Sequence, residues 1–443
     1  MRSGRSSVKR NRGEPPRRRL LGVALVAALS ATALAACGSD SGPPTLTWYV
    51  NPDAGGQEQI AKSCTDAAGG KYRIETSLLP RDAASQREQL VRRLAANDDS
   101  IDVMSLDPPF IPEFAEAGFL AKVPSDVASA TTQGVVQSAI DGSTWKGQLV
   151  AVPFWANTQL LWYRKSVAQK AGLDMTKPVT WQQLIDAAKA QDTGIAVQGI
   201  RAESLTVWVN ALVASAGGNI LENPDAPADQ VKLGLDSDAG RKAASIIQEI
   251  ANDRLSGPAF STENEDASRA FFESGDASFM VNWPFVYPAA VDAAKAGTLD
   301  QSIVDDYGWG QYPEVNSGEV SKPPYGGINL TVGAFTKHAD LAWQAVQCIV
   351  QPENQKMYFI TNGNPAVSRS VYSDPEVLKA FPMAPAIQQS LEAAAPRPQT
   401  PYYNEVSQGL QRIWSPPTAV NPDSSPQKAT KLITGVLQKK ELL

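Results

Sequence analysis

The chain has 443 residues and one histidine, His338. One imidazole removes most histidine chemistry: a Ser-His-Asp relay, an HExxH zinc helix and a three-histidine metal site are all out of reach. Cysteine is nearly as rare, with three residues spread along the sequence, which excludes zinc ribbons and a dense disulfide scaffold. No other grouping has metal-ligand spacing, and nothing in the sequence implies a cofactor. Gly217-Gly218 and Gly326-Gly327 lack the Lys-Ser/Thr of a phosphate loop and read as turns. Basic excess is missing too. Residues 1–36 carry eight basic side chains against one Glu, so the other 407 residues have net charge −13 although the whole chain is −6. So acidic a body lacks the basic patches that phosphate neutralisation needs, which argues against a nucleic-acid partner. Beyond residue 36 no apolar run reaches 18 residues, so no later segment reads as a membrane span. What is present, 43 % hydrophobic and 19 % charged residues, is globular composition with length for two or three domains.

The N-terminus stands apart. Met1–Arg19 is basic and ends in three arginines, Leu20–Ala36 is apolar, and the run closes on Leu34-Ala35-Ala36-Cys37. A charged region, an apolar core and small residues at its end predict a secretory signal over 1–36. Ser30 and Thr32 interrupt a run already at the minimum for a span. Leu-Ala-Ala-Cys resembles a bacterial lipobox, which implies cleavage before Cys37, lipid on that residue, and anchorage at the outer face of the cytoplasmic membrane. Residues 37–44, rich in Gly, Ser and Pro, would be a flexible tether. The arginines leave the general and twin-arginine export routes open. Cys64 and Cys348 remain; in an oxidising compartment they can bond, the alternative being two buried free thiols.

The body alternates strand and helix. Leu46–Val50 and Tyr72–Leu79 read as strands around a helix over Gln57–Ala68. Ser85-Gln86-Arg87-Glu88 is a capping box that predicts a helix start at Ser85, with Glu88 paired to Arg92 one turn on. Ile101–Leu106 is a near-continuous apolar run of the kind a parallel sheet buries. This is βαβ order, hence α/β with a parallel sheet. Thr180-Trp181-Gln182-Gln183 is a second capping box, opening a helix to Ala190. Leu149–Tyr163 is a long extended segment, and Tyr325–Val332 and Ala395–Pro398 are further candidates for crossing between two lobes. His338 reads as a surface residue at a helix start.

Open α/β sheets bind ligands beyond the carboxyl ends of their strands. Asp107 sits at such an end, as ligand contact or as helix N-cap. Trp283 closes the strand Ala277–Trp283, as a sugar-stacking face or a core residue.

This order of elements resembles the family 1 extracellular solute-binding proteins, the carbohydrate receptors of ABC importers. The residues that carry it are the lipobox, the strand ending in Asp107, Val152–Tyr163, Phe271–Pro284 and Tyr325–Leu330. Within the family, Asp102–Asp107, Glu113–Gly118, Asn157–Tyr163, Val281–Val286, Gly326–Leu330 and Arg397–Pro401 look like the corresponding stretches of trehalose receptors. The resemblance implies a periplasmic-binding-protein fold: two α/β lobes, 45–155 with 328–372 and 156–327 with 373–443, joined by a multi-strand hinge around a ligand cleft. It implies a disaccharide site made by Asp107, Asn157, Glu265, Trp283 and Arg397, with Asn51, Trp155 and Gly327 beside them. Trp48 and Tyr49 are further aromatic candidates. It also implies delivery to ABC permease subunits by a monomeric receptor, with trehalose as ligand and maltose, a maltooligosaccharide or another α-glucoside as alternatives. Carboxylates, an amide and a guanidinium suit sugar hydroxyls, which both donate and accept, and an indole suits a pyranose face. A glycoside hydrolase using Asp107 and Glu265 is the enzymatic rival.

Overall fold

The computed structural model describes residues 42–443. The signal peptide, Cys37 and most of the tether lie outside the described residues. Among those described, no helix is long and apolar enough to cross a membrane.

Twelve strands are described: β1 (Thr45–Val50), β2 (Arg73–Leu78), β3 (Val103–Leu106), β4 (Thr144–Trp145), β5 (Gln148–Leu149), β6 (Val152–Thr158), β7 (Leu160–Arg164), β8 (Gly194–Ala196), β9 (Ala277–Asn282), β10 (Tyr307–Gly310), β11 (Pro324–Val332) and β12 (Ala395–Pro396). β1 lies between β2 and β3, parallel to both, as the βαβ order predicts. β11 runs antiparallel beside β3 with β6 on its other edge, and its first two residues pair with β12. This makes a six-stranded sheet. A second sheet has the order β10-β7-β9-β8.

The long extended segment therefore serves both sheets. β6 ends at Thr158 and β7 begins at Leu160. Between them Gln159 is buried and donates from Nε2 to Gln198 Oε1 (3.1 Å).

Side-chain alternation along the strands fills a core on each face of each sheet. On the six-stranded sheet Trp48, Val103 and Leu330 point to one cluster and Tyr49 and Met104 to the other. On the four-stranded sheet Leu161, Phe279 and Val281 meet the helices Trp181–Ala190, Glu203–Ser215 and Asp238–Asn252. Leu160, Trp162 and Met280 meet Val286, Tyr372 and Leu391 on the opposite face. Each sheet is thus covered on both sides, which is why its strands read as unbroken apolar runs.

The disulfide is formed. Cys64, on the helix Gly56–Ala67, bonds Cys348, on Ala339–Ile349, with Cα atoms 5.9 Å apart. Both helices pack on one face of the six-stranded sheet.

The Thr180 capping box is formed in both directions: Gln183 N–H donates to Thr180 Oγ1 (3.1 Å) and Thr180 N–H to Gln183 Oε1 (2.9 Å). The Ser85 box is not. The helix starts two residues earlier, at Ala83, because the Asp82 carboxylate accepts from Ser85 N (2.8 Å) and Ser85 Oγ (2.9 Å). A charged acceptor ahead of Ser85 wins the cap, and Glu88 is left to pair with Arg92 as expected. Gly326-Gly327 is a correction as well. It is no turn but the middle of β11, opposite Asn157 and Ala156.

Candidate functional site

A cleft of about 480 Å³ is lined by strand residues of β6 and β11 and by residues that follow strands or head helices on both sheets. All eight candidates reach it: Asn51, Asp107, Trp155, Asn157, Glu265, Trp283, Gly327 and Arg397. The fold explains why. Asn51 follows β1, Asp107 follows β3 and Trp283 follows β9, so each stands just beyond a strand's carboxyl end. Asn157 is the penultimate residue of β6, and Arg397 follows β12 directly. Glu265 opens the helix Glu265–Glu273, capped by Asn264, whose Oδ1 accepts from Ala267 N (2.9 Å). Ser204 Oγ donates to Glu265 Oε1 (2.8 Å) and fixes that carboxylate at the wall.

The centre of the cleft is an ion cluster. Arg397 is only 4 % exposed; Nη2 donates to Asp107 Oδ1, and Nη1 to Glu203 Oε1 at 2.7 Å. Glu203 also accepts from the Tyr403 hydroxyl and from Ser407 Oγ (2.8 Å). Asp107 stands at the N-cap position of the short 3₁₀ turn Pro108–Phe110, yet its side chain makes no capping bond. Its carboxylate is committed to Arg397 instead, so the N-cap reading fails for the side chain. Burial pushes the Asp107 carboxyl above its ordinary range, against the pull of Arg397. Burial also opposes the charge on Arg397, but Asp107, Tyr403 and Glu203 together hold it well above its usual value. The guanidinium decides the pair. It does not lose its proton in a protein, so its partner Asp107 remains a carboxylate at neutral pH. Two carboxylates on one guanidinium leave the cluster net negative.

Two glycines bring the walls together. Gly327 has φ +122°, and a Cβ there would lie 2.2 Å from the Trp155 carbonyl oxygen. Only glycine takes that backbone at that approach. A Cβ on Gly326 would come 3.2 Å from the outer ring of Trp283, so the indole rests against bare backbone of β11. The backbone N–H of Trp283 donates to Asn282 Oδ1 (2.9 Å).

Three residues that line the cleft each carry a buried polar atom with no protein partner among the described residues: Asn51 Oδ1, Trp155 Nε1 and Arg397 Nε. One accepts and two donate, all three are out of solvent, and groups of this kind are costly to leave unpaired. Among the described residues no cluster of three or more His, Cys, Asp or Glu could hold a metal ion.

Two aromatic candidates belong to the core instead. Trp48 is fully buried with Nε1 donating to Ser105 Oγ (3.1 Å). Tyr49 is buried on the other face, its hydroxyl accepting from Arg93. β1 is an inner strand with both faces covered, so its rings have no route to the cleft. Sequence reasoning missed Glu203, together with Arg81, Asp82 and Gln86 at the rim. The signal for Glu203 was available: it is a charge at the first turn of a helix otherwise buried from Leu205 to Val213.

A two-sheet α/β receptor architecture with a polar cleft invites comparison with known proteins. Residues 70–356 match the family described as bacterial extracellular solute-binding protein. A probable ABC transporter-binding protein of Deinococcus radiodurans is 25 % identical over 433 residues, covering 93 % of this chain and 97 % of that one. The maltotriose-binding protein of Pyrococcus abyssi is 24 % identical over 307 residues, 68 % of this chain and 62 % of that protein. Among solved structures, maltose-bound T. maritima MalE3 superposes with TM-score 0.74 at 23 % identity, over 88 % of this chain and 99 % of that one. The GacH receptor of Streptomyces glaucescens gives 0.72 at 19 % identity, over 90 % and 100 %. At these identities the structures share the fold. The family match spans well over half of the sequence, and the chain belongs to the bacterial extracellular solute-binding proteins, a family of exported ABC-transporter receptors and not of enzymes.

Proposed function

We propose that this receptor serves an ABC sugar importer and captures an uncharged disaccharide in the cleft lined by Asp107, Asn157, Glu265, Trp283 and Arg397, with Asn51, Trp155 and Gly327 at its floor. The observation that carries this reading is that all eight line one cavity, with carboxylate acceptors, an amide and a guanidinium donor among them. A sugar hydroxyl answers both kinds of group. Asp107 and Glu265 accept from hydroxyls, Asn157 does both, Arg397 donates, and Trp283 supplies the flat apolar face that a pyranose covers. A wrong epimer leaves some of these groups unpaired and is rejected for that reason.

Trehalose is the first choice, on the likeness of the stretches that carry Asp107, Asn157, Trp283 and Arg397. Maltose, a maltooligosaccharide or another α-glucoside comes second, favoured by the maltose-bound fold relative and the maltotriose-binding relative. Capture works by hinge closure, the halves being 45–155 with 328–372 and 156–327 with 373–443. The sugar shifts the open–closed balance only by its preference for the closed form. The loaded receptor, a monomer held to the outer face of the membrane through lipid on Cys37, hands the intact sugar to its permease.

A thermal-shift panel of neutral disaccharides tests the ligand, because a ligand that binds only the folded state raises Tm. Trehalose is expected to give the largest shift, and release of no glucose on prolonged incubation is expected of a receptor. A panel in which no saccharide moves Tm overturns the reading. Solution scattering tests closure: the radius of gyration should fall on saturation, and an unchanged radius refutes it.

A further inference from the structure

Arginine recognises anions through the fork of its two Nη groups, which matches a carboxylate or phosphate with two parallel bonds. In this cleft each arm of the fork already holds a carboxylate. Nη2 of Arg397 donates to Asp107 and Nη1 to Glu203, and Nε is buried without a protein partner among the described residues. Asp107 follows β3 of the six-stranded sheet, whereas Glu203 heads the helix that packs on the four-stranded sheet. The guanidinium is thus held from two sides. Glu203 is itself held, by the Tyr403 hydroxyl on the same oxygen that Arg397 uses and by Ser407 on the other. The charge balance agrees. Asp82, Asp107, Glu203 and Glu265 line the cleft against Arg81 and Arg397, four acids to two bases.

We propose that Glu203 is the positioning residue of this site: it fixes Arg397 with a carboxylate on each Nη, and it makes the cleft selective for uncharged polyols over sugar acids and sugar phosphates. This rests on the sugar-binding reading above and goes further, to a residue and a ligand class. A phosphate or uronate must compete with Asp107 and Glu203 for the guanidinium and faces an excess of carboxylates, and like charges set against each other are strongly unfavourable. A neutral hydroxyl needs only one donor and is not repelled.

The test uses Glu203→Gln, which keeps size but removes the charge and one of the two acceptor oxygens. Tyr403→Phe is a milder second variant that strips one bond from Glu203 and keeps the ring. Amide hydrogen exchange over 394–402 in the ligand-free protein is expected to quicken at least fivefold in Glu203→Gln, less in Tyr403→Phe, and to be largely restored in Glu203→Asp. This readout needs no ligand, so it stands even if no sugar binds. Calorimetry with trehalose should show at least tenfold weaker binding in Glu203→Gln, with the wild-type preference for trehalose over trehalose 6-phosphate narrowed at least fivefold. Unchanged exchange over 394–402 in Glu203→Gln overturns the positioning role. A wild-type protein that prefers trehalose 6-phosphate overturns the ligand class. Wild-type binding of neither sugar, with quickened exchange, overturns the sugar-binding reading and supports the positioning role.

Discussion

Gly326 and Gly327 are neighbours on one strand, and the structure assigns their substitution opposite outcomes. In Gly327→Ala the new Cβ must avoid the Trp155 carbonyl oxygen, which stands 2.2 Å from its ideal position. Ordinary contact needs about 1 Å more, and the neighbour is backbone, which cannot swing aside as a side chain would. The residue must also hold φ near +122°, a region that costs a non-glycine residue ~1–3 kcal/mol. Relief means opening the β6–β11 ladder where Gly327 faces Ala156, at ~1 kcal/mol for each backbone bond lost. The sum is ~3–5 kcal/mol. Unfolding entropy of ~2 cal/mol/K per residue over ~400 residues converts that into a Tm fall of ~4–6 °C. Gly326→Ala carries no such strain. Its Cβ meets only the edge of the Trp283 ring at 3.2 Å, and alanine lowers unfolded-state entropy, worth ~0.4–1 kcal/mol in favour of the fold. Calorimetric Tm should therefore stay level or rise slightly in Gly326→Ala, while disaccharide affinity drops several-fold as the indole is displaced. Equal Tm values for the two variants, or a Gly327→Ala protein as stable as wild type, would refute the geometry on which the cleft floor rests.

Other outcomes follow from the same structure. Calorimetry on Trp283→Ala and on Asp107→Ala should show disaccharide binding weakened at least tenfold in each; wild-type affinity in both would remove the site. Alkylation of the native protein should find neither Cys64 nor Cys348 free. Reduction should lower Tm by ~4–6 °C, because a bond closing 284 residues of sequence separation falls at the upper end of the usual ~2–4 kcal/mol or above it. Glu263 is 3 % exposed, one of its oxygens has no partner among the described residues, and burial pushes its carboxyl up to about 7. A folded-state value above the unfolded one means stability is unaffected below the ordinary carboxyl range and declines as pH rises toward 7. Glu263→Gln should therefore raise Tm at pH 8, by the equivalent of ~1–3 kcal/mol, and leave it unchanged at pH 4; a gain equal at both pH values would show that titration is not the cause.

Much of this was legible in the sequence, because strand order and strand ends are written in local patterns. The patterns at Leu46, Ile101 and Ala277 announced strands, the one at Ile101 a strand buried in a parallel sheet, and the residues at their ends, Asp107 and Trp283, reached the cleft. Thr180 and Gln183 capped as their spacing required. The failures share a cause, which is competition that only tertiary structure settles. Asp82 outbid Ser85 for a helix start because a carboxylate stood nearer to the free N–H groups. Trp48 and Tyr49 looked available until neighbours on both sides of β1 covered them. Gly326-Gly327 looked like a turn because glycine pairs usually are, whereas here the missing side chains serve close approach within a strand. Glu203 was invisible as a partner of Arg397 because 194 positions separate them.

The order of strands in the larger sheet also bears on how the chain matures. The strands of the four-stranded sheet all come from residues 160–310, although later residues such as Tyr372, Leu391 and Trp414 complete its two faces. The six-stranded sheet spans far more of the chain. β1, β2 and β3 are made first, yet the edge of β3 waits for β11, some 220 residues later, and the neighbouring end of β11 waits for β12. Emerging N-terminus first, such a chain exposes early apolar strands until its distal part arrives, and long-range pairings of this kind form slowly. All strands of the smaller sheet are thus made before the larger sheet can be completed, and the interval before β11 appears is when the newborn receptor most needs protection from its own kind.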